Sequence, residues 1–507
     1  MIPVLSCEEA FCLDKTIIDS GYQSEKRLMD NAGRSLAQFI IEYIPSPFKH
    51  KFMILAGPGN NGGDGIICHY YLLQYGANSN LMLFDNEIMN TSWIFKEYAI
   101  SSESINIYSN NYKFSSDNYY IDSIFGIGLR RDIEGNYKKV IQKISVFPHV
   151  ISIDIPSGIY CDSGMASRNF IKAEYTLSMG YPKLGYYFNT GLESLGGLFI
   201  LDIGYKPIKK TEDHINLIEF NDVQSCAPKH VKNTHKFTRG KVITIAGSSG
   251  YTGACILAVK AALTAGAGII KVLVSESLRN LYESCLIESI MVSVDDYNKG
   301  TFMPEQIEEI LTEIAWADSV LFGPGLKTDN KAVKWMTEIL KKIDKPLILD
   351  ASGFQPLINN KLEIDDLPEL TILTPHLAEF CKIFNLNIEK TQGDPITAVK
   401  SIISDLNGRV LILKGPTNII ATAEGNLLLM DHGSPSLATA GTGDILTGIL
   451  VAAISQGLDI NEAAVYSTYL HAECAHQYCK KISDLGLTAL DLIEMLPYAQ
   501  EKLHYVS

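Results

Sequence analysis

The feature that most limits what this chain can fold into is a unit repeated along most of its length. A short apolar run meets a turn of glycine and polar residues, and a segment with helical spacing follows. Phe52-Met53-Ile54-Leu55-Ala56 runs into Gly57-Pro58-Gly59-Asn60-Asn61-Gly62-Gly63-Asp64-Gly65, after which Ile66 to Tyr75 reads as a helix. Tyr119-Tyr120-Ile121-Asp122 leads into a turn holding Gly126 and Gly128, and Val150-Ile151-Ser152-Ile153-Asp154 leads into Ile155-Pro156-Ser157-Gly158. Unbroken apolar runs of this length suit parallel strands buried on both faces. The series therefore predicts an α/β fold with helices on both sides of parallel sheets. Carboxyl ends of neighbouring parallel strands open on one crevice, so Asn61, Asp122, Asp154 and Ser157 are expected to converge. An oxygen-rich set of this kind suits a hard cation, and Arg130 and Arg131 are placed to meet a phosphate.

A looser stretch from Tyr205 to His235, with Lys206-Pro207, Lys209-Lys210 and Pro228-Lys229, places a domain boundary near residues 210–222. A second series follows. Gly240 to Ala246 ends in Gly247-Ser248-Ser249-Gly250, Ser319 to Phe322 in Gly323-Pro324-Gly325, and Pro346 to Leu349 in Asp350. Leu370 to Leu373 leads to Thr374-Pro375-His376, and Val410 to Leu413 to Lys414-Gly415-Pro416-Thr417-Asn418. The last of the series is Ala438-Thr439-Ala440-Gly441-Thr442-Gly443-Asp444, opening an apolar helix. The first N–H groups of a helix have no partner within it and attract phosphate. A carboxylate facing that phosphate has a use if it deprotonates an attacking hydroxyl. Taken singly, Asp444 reads equally as a helix cap, His376 as a structural histidine and Lys414 as a surface lysine.

A length of 507 residues predicts more than one domain, at roughly 150 residues each. The net charge of −14 argues against nucleic acid and against an anionic membrane surface. No membrane span is expected, because the most apolar stretch, Ala254 to Val274, carries Lys260 and Lys271 and is broken by Gly266 and Gly268. Ten cysteines without a CxxC pair fit reduced thiols in a cytoplasmic protein. His471, Cys474, His476 and Cys479 share a helix, but their spacing matches no standard zinc site. Ser6 and Glu9 read as a helix capping box.

The ordered set Leu28–Gly33, Gly57–Gly65, Asp122–Arg130, Asp154–Gly158, Gly247–Ala254, Phe322–Leu326, Leu373–Glu379, Lys414–Asn418 and Ala438–Gly448 resembles the bifunctional NAD(P)H-hydrate repair enzymes over nearly the whole chain. The resemblance implies two three-layer α/β/α domains: a Rossmann-like NAD(P)H-hydrate epimerase over residues 1–215, and a ribokinase-like ADP-dependent NAD(P)H-hydrate dehydratase over residues 222–507. It implies that Asn60, Asn61, Gly62, Gly63 and Asp64 contact the hydrated dinucleotide, with Gly126, Ile127, Gly128, Leu129, Arg130, Arg131, Asp132 and Asp154. Asn61, Asp122 and Ser157 match positions that bind potassium. In the second domain Ala254, Gly325, His376 and Asp444 match contacts to the hydrate. Lys414, Gly415, Pro416, Thr417 and Asn418, with Ser434, Thr439, Ala440, Gly441, Thr442 and Gly443, match nucleotide-binding positions. The implied small molecules are NADHX, NADPHX, Mg2+ and ADP or ATP, and the implied assembly is a homo-oligomer, a tetramer or larger. Met29-Asp30 stands where Met-Glu is common, and Ile127 where Thr is common; neither removes a proposed functional group.

On this reading Asp444 is the base of the dehydratase and Asp154 the acid–base group of the epimerase. A small-molecule kinase of the ribokinase type would use the same Gly-Thr-Gly-Asp mechanics, and a first domain that only binds would not need its polar set.

Overall fold

Burial on both faces governs both sheets: the strands Lys51–Ala56, Val150–Ile153, Ser319–Phe322 and Val410–Leu413 are buried along essentially their whole length. The computed structural model describes residues 1–85, 93–208, 214–229 and 233–504. It separates into Pro3–His214 and a second unit made of Ile215–Ser507 with Met1–Ile2. Lys209, Lys210 and residues 211–213 of the expected boundary lie outside the described residues.

In the first unit seven strands form one parallel sheet. Its spatial order is Ile105–Ile107, Asn78–Leu83, Lys51–Ala56, Tyr119–Ser123, Val150–Ile153, Tyr175–Met179, Gly197–Leu201. The chain builds outward in one direction from Lys51–Ala56 and then returns to build in the other. The order therefore reverses between Lys51–Ala56 and Tyr119–Ser123, where a doubly wound sheet opens its crevice. The helix Glu25–Tyr43 ends before Pro45, and Cys7–Asp19 begins on Ser6 with the expected reciprocal bonds to Glu9. One boundary differs from the sequence reading. The glycine-rich stretch is not a loop throughout, because the helix Asn60–Gln74 starts within it. Gly62 and Gly63 lie in its first turn, where a Cβ would come 2.0 Å from the Gly57 carbonyl oxygen and 2.7 Å from the Met29 sulfur. These glycines serve close packing of the helix start against the Gly57 turn and against Met29 of the helix Glu25–Tyr43.

In the second unit the strands from Ile215 onward run Ile215–Leu217, Leu427–Met430, Asn418–Ala421, Val410–Leu413, Thr371–Leu373, Leu347–Leu349, Ser319–Phe322, Lys241–Ile245, Ile269–Ser275, Ile290–Val294. All pairs are parallel except those Asn418–Ala421 makes with its two neighbours, an antiparallel insertion the sequence reading did not foresee. The order reverses at Lys241–Ile245, and the turns after it and after Ser319–Phe322 meet: Gly247 N–H donates to the Pro324 carbonyl at 2.7 Å, and Ser248 Oγ to the Gly325 carbonyl at 2.8 Å. The last three residues of Ala438–Asp444 open the helix Thr442–Ser455, apolar all round and buried throughout except at its N-terminal end. It lies against Thr252–Thr264 so closely that a Cβ on Gly448 would sit 2.2 Å from the Ala258 carbonyl oxygen. Gly448→Ala gains helix propensity worth about 1 kcal/mol but forces this backbone contact apart, at about 1–3 kcal/mol. Because a carbonyl cannot turn away as a side chain can, the cost outweighs the gain, and urea unfolding should show a net loss of up to about 2 kcal/mol.

Candidate functional site

In the first unit the crevice at the strand reversal is a cavity of about 560 Å³. Asn60, Asn61 and Asp64 enter its wall from the helix start, and Gly126, Ile127, Gly128, Leu129, Arg130 and Arg131 from the turn after Tyr119–Ser123. Asp154 joins them at the end of Val150–Ile153, in the left-handed region at φ +60°. That strained backbone is fixed from three sides. Lys183 Nζ pairs with the Asp154 carboxylate, the Met179 N–H donates to it at 3.1 Å, and the Tyr186 hydroxyl donates to its carbonyl. Lys183 is 3 % exposed and donates also to Ser178 Oγ at 3.2 Å and the Met179 carbonyl at 3.0 Å. Sequence reasoning missed Lys183, Asp14 and Tyr205, all in the cavity wall; a lysine inside Tyr181-Pro182-Lys183-Leu184 carries no spacing signal. The Tyr205 hydroxyl donates to Asp14, whose carboxyl burial nonetheless pushes upward.

Other residues named from sequence fall outside the wall. Gly62 and Gly63 pack the helix start, and Asp132 anchors its own loop, accepting from Ser167 Oγ at 3.1 Å and the Arg168 N–H at 3.3 Å. Asp122 is fully buried and accepts from Ser157 Oγ at 2.6 Å, Ser157 N–H at 2.8 Å, Ser152 Oγ at 2.9 Å and Ile124 N–H at 3.3 Å. Burial pushes its carboxyl up, and the bonds from Ser157 and Ser152 oppose this. Asn61 Nδ2 is buried without a partner among the described residues, and the Asn61 Cβ and Cγ lie near Gly126.

In the second unit four strand ends and one helix start supply the polar groups. Lys414 Nζ donates to Asp350 Oδ1 at 2.8 Å, and Thr374 Oγ1 to the same oxygen at 2.8 Å. A Cβ on Gly443 would lie 3.5 Å from Lys414 Nζ, so the lysine sits over the first turn of Thr442–Ser455. Asp444 belongs to that turn. Burial first, and then the Asp350 carboxylate, push its pKa up to about 7 against the pull of Lys414. Gly441, at φ +90°, caps the helix where a Cβ would meet Leu257 and Ala489, and His471 Nε2 lies 2.9 Å from the Thr442 carbonyl oxygen. Ala254 and Gly325 are neighbours, 3.0 Å separating the Ala254 Cβ from a Cβ built on Gly325. His376 is a helix cap: Nδ1 accepts from Ala378 and Glu379 N–H at 3.2 and 3.3 Å, and the rest of the ring is exposed. Gly415 N–H donates to Asn418 Oδ1 at 3.1 Å, the Thr417 hydroxyl is buried without a partner among the described residues, and Pro416 lies beside Gly433. Ser434 bonds Ser436 Oγ at 2.8 Å and faces Cys479, Thr442 Oγ1 donates to the carbonyls of Leu437 and Thr439, and Ala440 is exposed. Asp350 and Thr374 complete the cluster; the sequence shows each only as a polar residue after a strand.

Two doubly wound α/β units, each collecting charged side chains at the reversal or carboxyl end of its sheet, define a two-site enzyme whose second unit has the ribokinase-like arrangement. A solved ribokinase-like superfamily protein from Enterococcus faecalis shares that fold at 23% identity and a TM-score of 0.50, over 59% of this chain and 99% of its own. Residues 242–498 match the family model described as NAD(P)H-hydrate dehydratase, and residues 25–185 the one described as YjeF-related protein N-terminus. A bifunctional NAD(P)H-hydrate repair enzyme from Thermofilum pendens is 30% identical over 99% of this chain and 96% of its own length. Another from Dictyoglomus turgidum is 30% identical over 94% of each. The chain belongs to the family of bifunctional NAD(P)H-hydrate repair enzymes. The comparisons bear out the two-domain α/β resemblance read from the sequence. Among the described residues no helix is long and apolar enough to cross a membrane.

The buried Lys183–Asp154 pair gives a direct test of what holds the first cavity. Lys183→Met leaves Asp154 without its cation and should cost about 3–5 kcal/mol, read as a lowered melting transition. Adding Asp154→Asn should recover part of that loss, because the uncompensated charge is then gone.

Proposed function

We propose that the first unit interconverts the R and S forms of NAD(P)H hydrate and that the second dehydrates the S form to NAD(P)H, converting ADP to AMP and phosphate, or using ATP. The observation that carries the second half is a desolvated carboxyl, Asp444, in the first turn of a phosphate-attracting helix start with Lys414 beside it. Hydration of the nicotinamide C5–C6 double bond leaves a hydroxyl at C6, a poor leaving group. Asp444 takes its proton as the oxygen attacks the terminal phosphate of the nucleotide; the N–H groups of Gly443 and Asp444 and the Lys414 ammonium receive the charge of the transferred group. Loss of phosphate restores the double bond. Ala254, Gly325 and His376 line the hydrate, and Gly415–Asn418 with Ser434 and Thr439–Gly443 line the nucleotide.

Mg2+ takes carboxylate and phosphate oxygens, and Asp350 would help hold it there, where it would neutralise phosphate charge. In the first unit Asn61, Asp122 and Ser157 would hold potassium. They fit as a set of oxygen donors, Asn61 through its side-chain carbonyl and Asp122 with Ser157 already held together by hydrogen bonds, and the ion would brace the turns bounding the cavity. Asn60 to Asp64 and Gly126 to Asp132 face the dinucleotide, and Asp154 serves as an acid–base group. Ten free thiols support a reducing, cytoplasmic setting, and resemblance to the family supports a homo-oligomer.

Asp444→Ala should abolish dehydration and leave epimerisation intact, followed as recovery of dihydronicotinamide absorbance together with free phosphate. A stable phosphorylated product in its place would mark a kinase. Because Asp444 acts as a base with a pKa raised to about 7, dehydratase kcat/KM should fall as pH falls through 7. Mixed R and S hydrates with ADP or ATP, with and without potassium and magnesium, test the whole reading in one assay.

A further inference from the structure

Three of the four carboxyls that line the first unit's cavity, the aspartates, have different surroundings. Asp154 has the Lys183 ammonium and the Met179 N–H, and Asp14 has the Tyr205 hydroxyl. Asp64 lines the same wall from the helix Asn60–Gln74, and among the described residues it accepts no hydrogen bond and has no cation in contact. A carboxylate taken out of water without a donor is the costliest of the three to ionise. Glu25, Arg130 and Arg131 also line the cavity, and Cys68 follows Asp64 on its own helix. Burial is the largest influence on Asp64. The negative charges of Asp154 and Asp14 act in the same direction, and Lys183 opposes them without reversing the outcome, so its carboxyl stands well above the usual range.

We infer that Asp64 is the general acid of the epimerase reaction, giving its proton to the departing C6 hydroxyl. The inference rests on the epimerase reading of this cavity. As the C6–O bond breaks, the lone pair of the ring nitrogen N1 forms an N1=C6 double bond. The oxygen takes the Asp64 proton and leaves as water. Water then adds to the opposite face of C6, the electron pair returns to N1, and the added water gives a proton to the Asp154 carboxylate. Exchange with solvent returns both carboxyls to their starting states. One water leaves and one enters, and no oxidant or reductant is used. Environments that separate the proton affinities of two carboxyls are what assign acid and base roles at neutral pH.

The test uses the full-length protein and the separated R hydrate. Asp64→Asn keeps the shape and the ability to hydrogen-bond but cannot transfer a proton. General acid catalysis is worth about 10²–10⁴-fold, so kcat for epimerisation should fall at least 100-fold while KM changes only a few-fold. The wild-type rate should decline at alkaline pH as Asp64 ionises, and that limb should be absent from the residual activity of D64N. In 18O-labelled water the wild type should place one label at C6 per epimerisation. A D64N rate within a few-fold of wild type, an alkaline limb retained in D64N, or epimerisation without label would overturn the assignment. If D64N does not fold, the wild-type alkaline limb and the label decide the question. A wild-type protein that leaves the R hydrate unchanged removes the epimerase reading itself; one that epimerises while D64N keeps pace removes only the role of Asp64.

Discussion

Both sites depend on the carboxyl ends of parallel strands: the first opens where the strand order reverses, the second at the ends of the strands beside its reversal. At the reversal, adjacent strands send their chains in opposite directions, and the space between the two departing turns stays open. In the first unit these are the turns after Ala56 and Ser123, and in the second those after Ile245 and Phe322. The glycines follow from the same constraint. Gly57 stands where a Cβ would come 1.8 Å from the Ile124 carbonyl oxygen, and Gly325 where one would come 2.6 Å from the Tyr251 carbonyl oxygen. The turns approach each other backbone to backbone, and only glycine permits it.

Polar groups gathered at such a point must be partnered or remain neutral, and the two units answer this in the same way. Each holds a lysine–aspartate pair, Lys183 with Asp154 and Lys414 with Asp350, in which the aspartate is buried. Each then adds one carboxyl on the first turns of a helix that makes no side-chain hydrogen bond among the described residues, Asp64 and Asp444. The paired aspartate is part of why the lone one is raised: the charge of Asp154 acts on Asp64, and that of Asp350 on Asp444. An ion pair close by thus keeps a proton available on its neighbour, with desolvation as the larger cause.

The strands and the order of their polar ends were legible because apolar runs and glycine turns are local signals. Asp444, Lys414 and Asp154 could be named on that basis. What was not legible depends on contacts between distant segments. Lys183 lies 29 positions after Asp154, and the Leu427–Met430 strand enters its sheet antiparallel to a neighbour, though its apolar run reads like any other. The glycine-rich stretch misled in the opposite direction. Gly62 and Gly63 suggest an extended loop, yet tertiary packing makes them helical, because the backbone of Gly57 and the Met29 side chain occupy the space any larger residue would need. The histidine and cysteine spacing on Ile460–Lys481 similarly resolves into separate contacts, His471 with the Thr442 carbonyl and His476 with that of His432.

His471 shows how far the second site reaches into the fold. Burial pushes its pKa down to about 4, so the ring is neutral at physiological pH and can donate one N–H to the Thr442 carbonyl. That bond fixes the first turn of Thr442–Ser455 through its backbone. The Thr442 hydroxyl ties the same turn to the carbonyls of Leu437 and Thr439, which brings the preceding segment along. A helix start attracts phosphate only to the extent that its N–H groups are held in one direction before the ligand arrives. The buried side chains behind Asp444 therefore belong to the chemistry as much as those in front of it, since they hold the turn that aims its carboxyl.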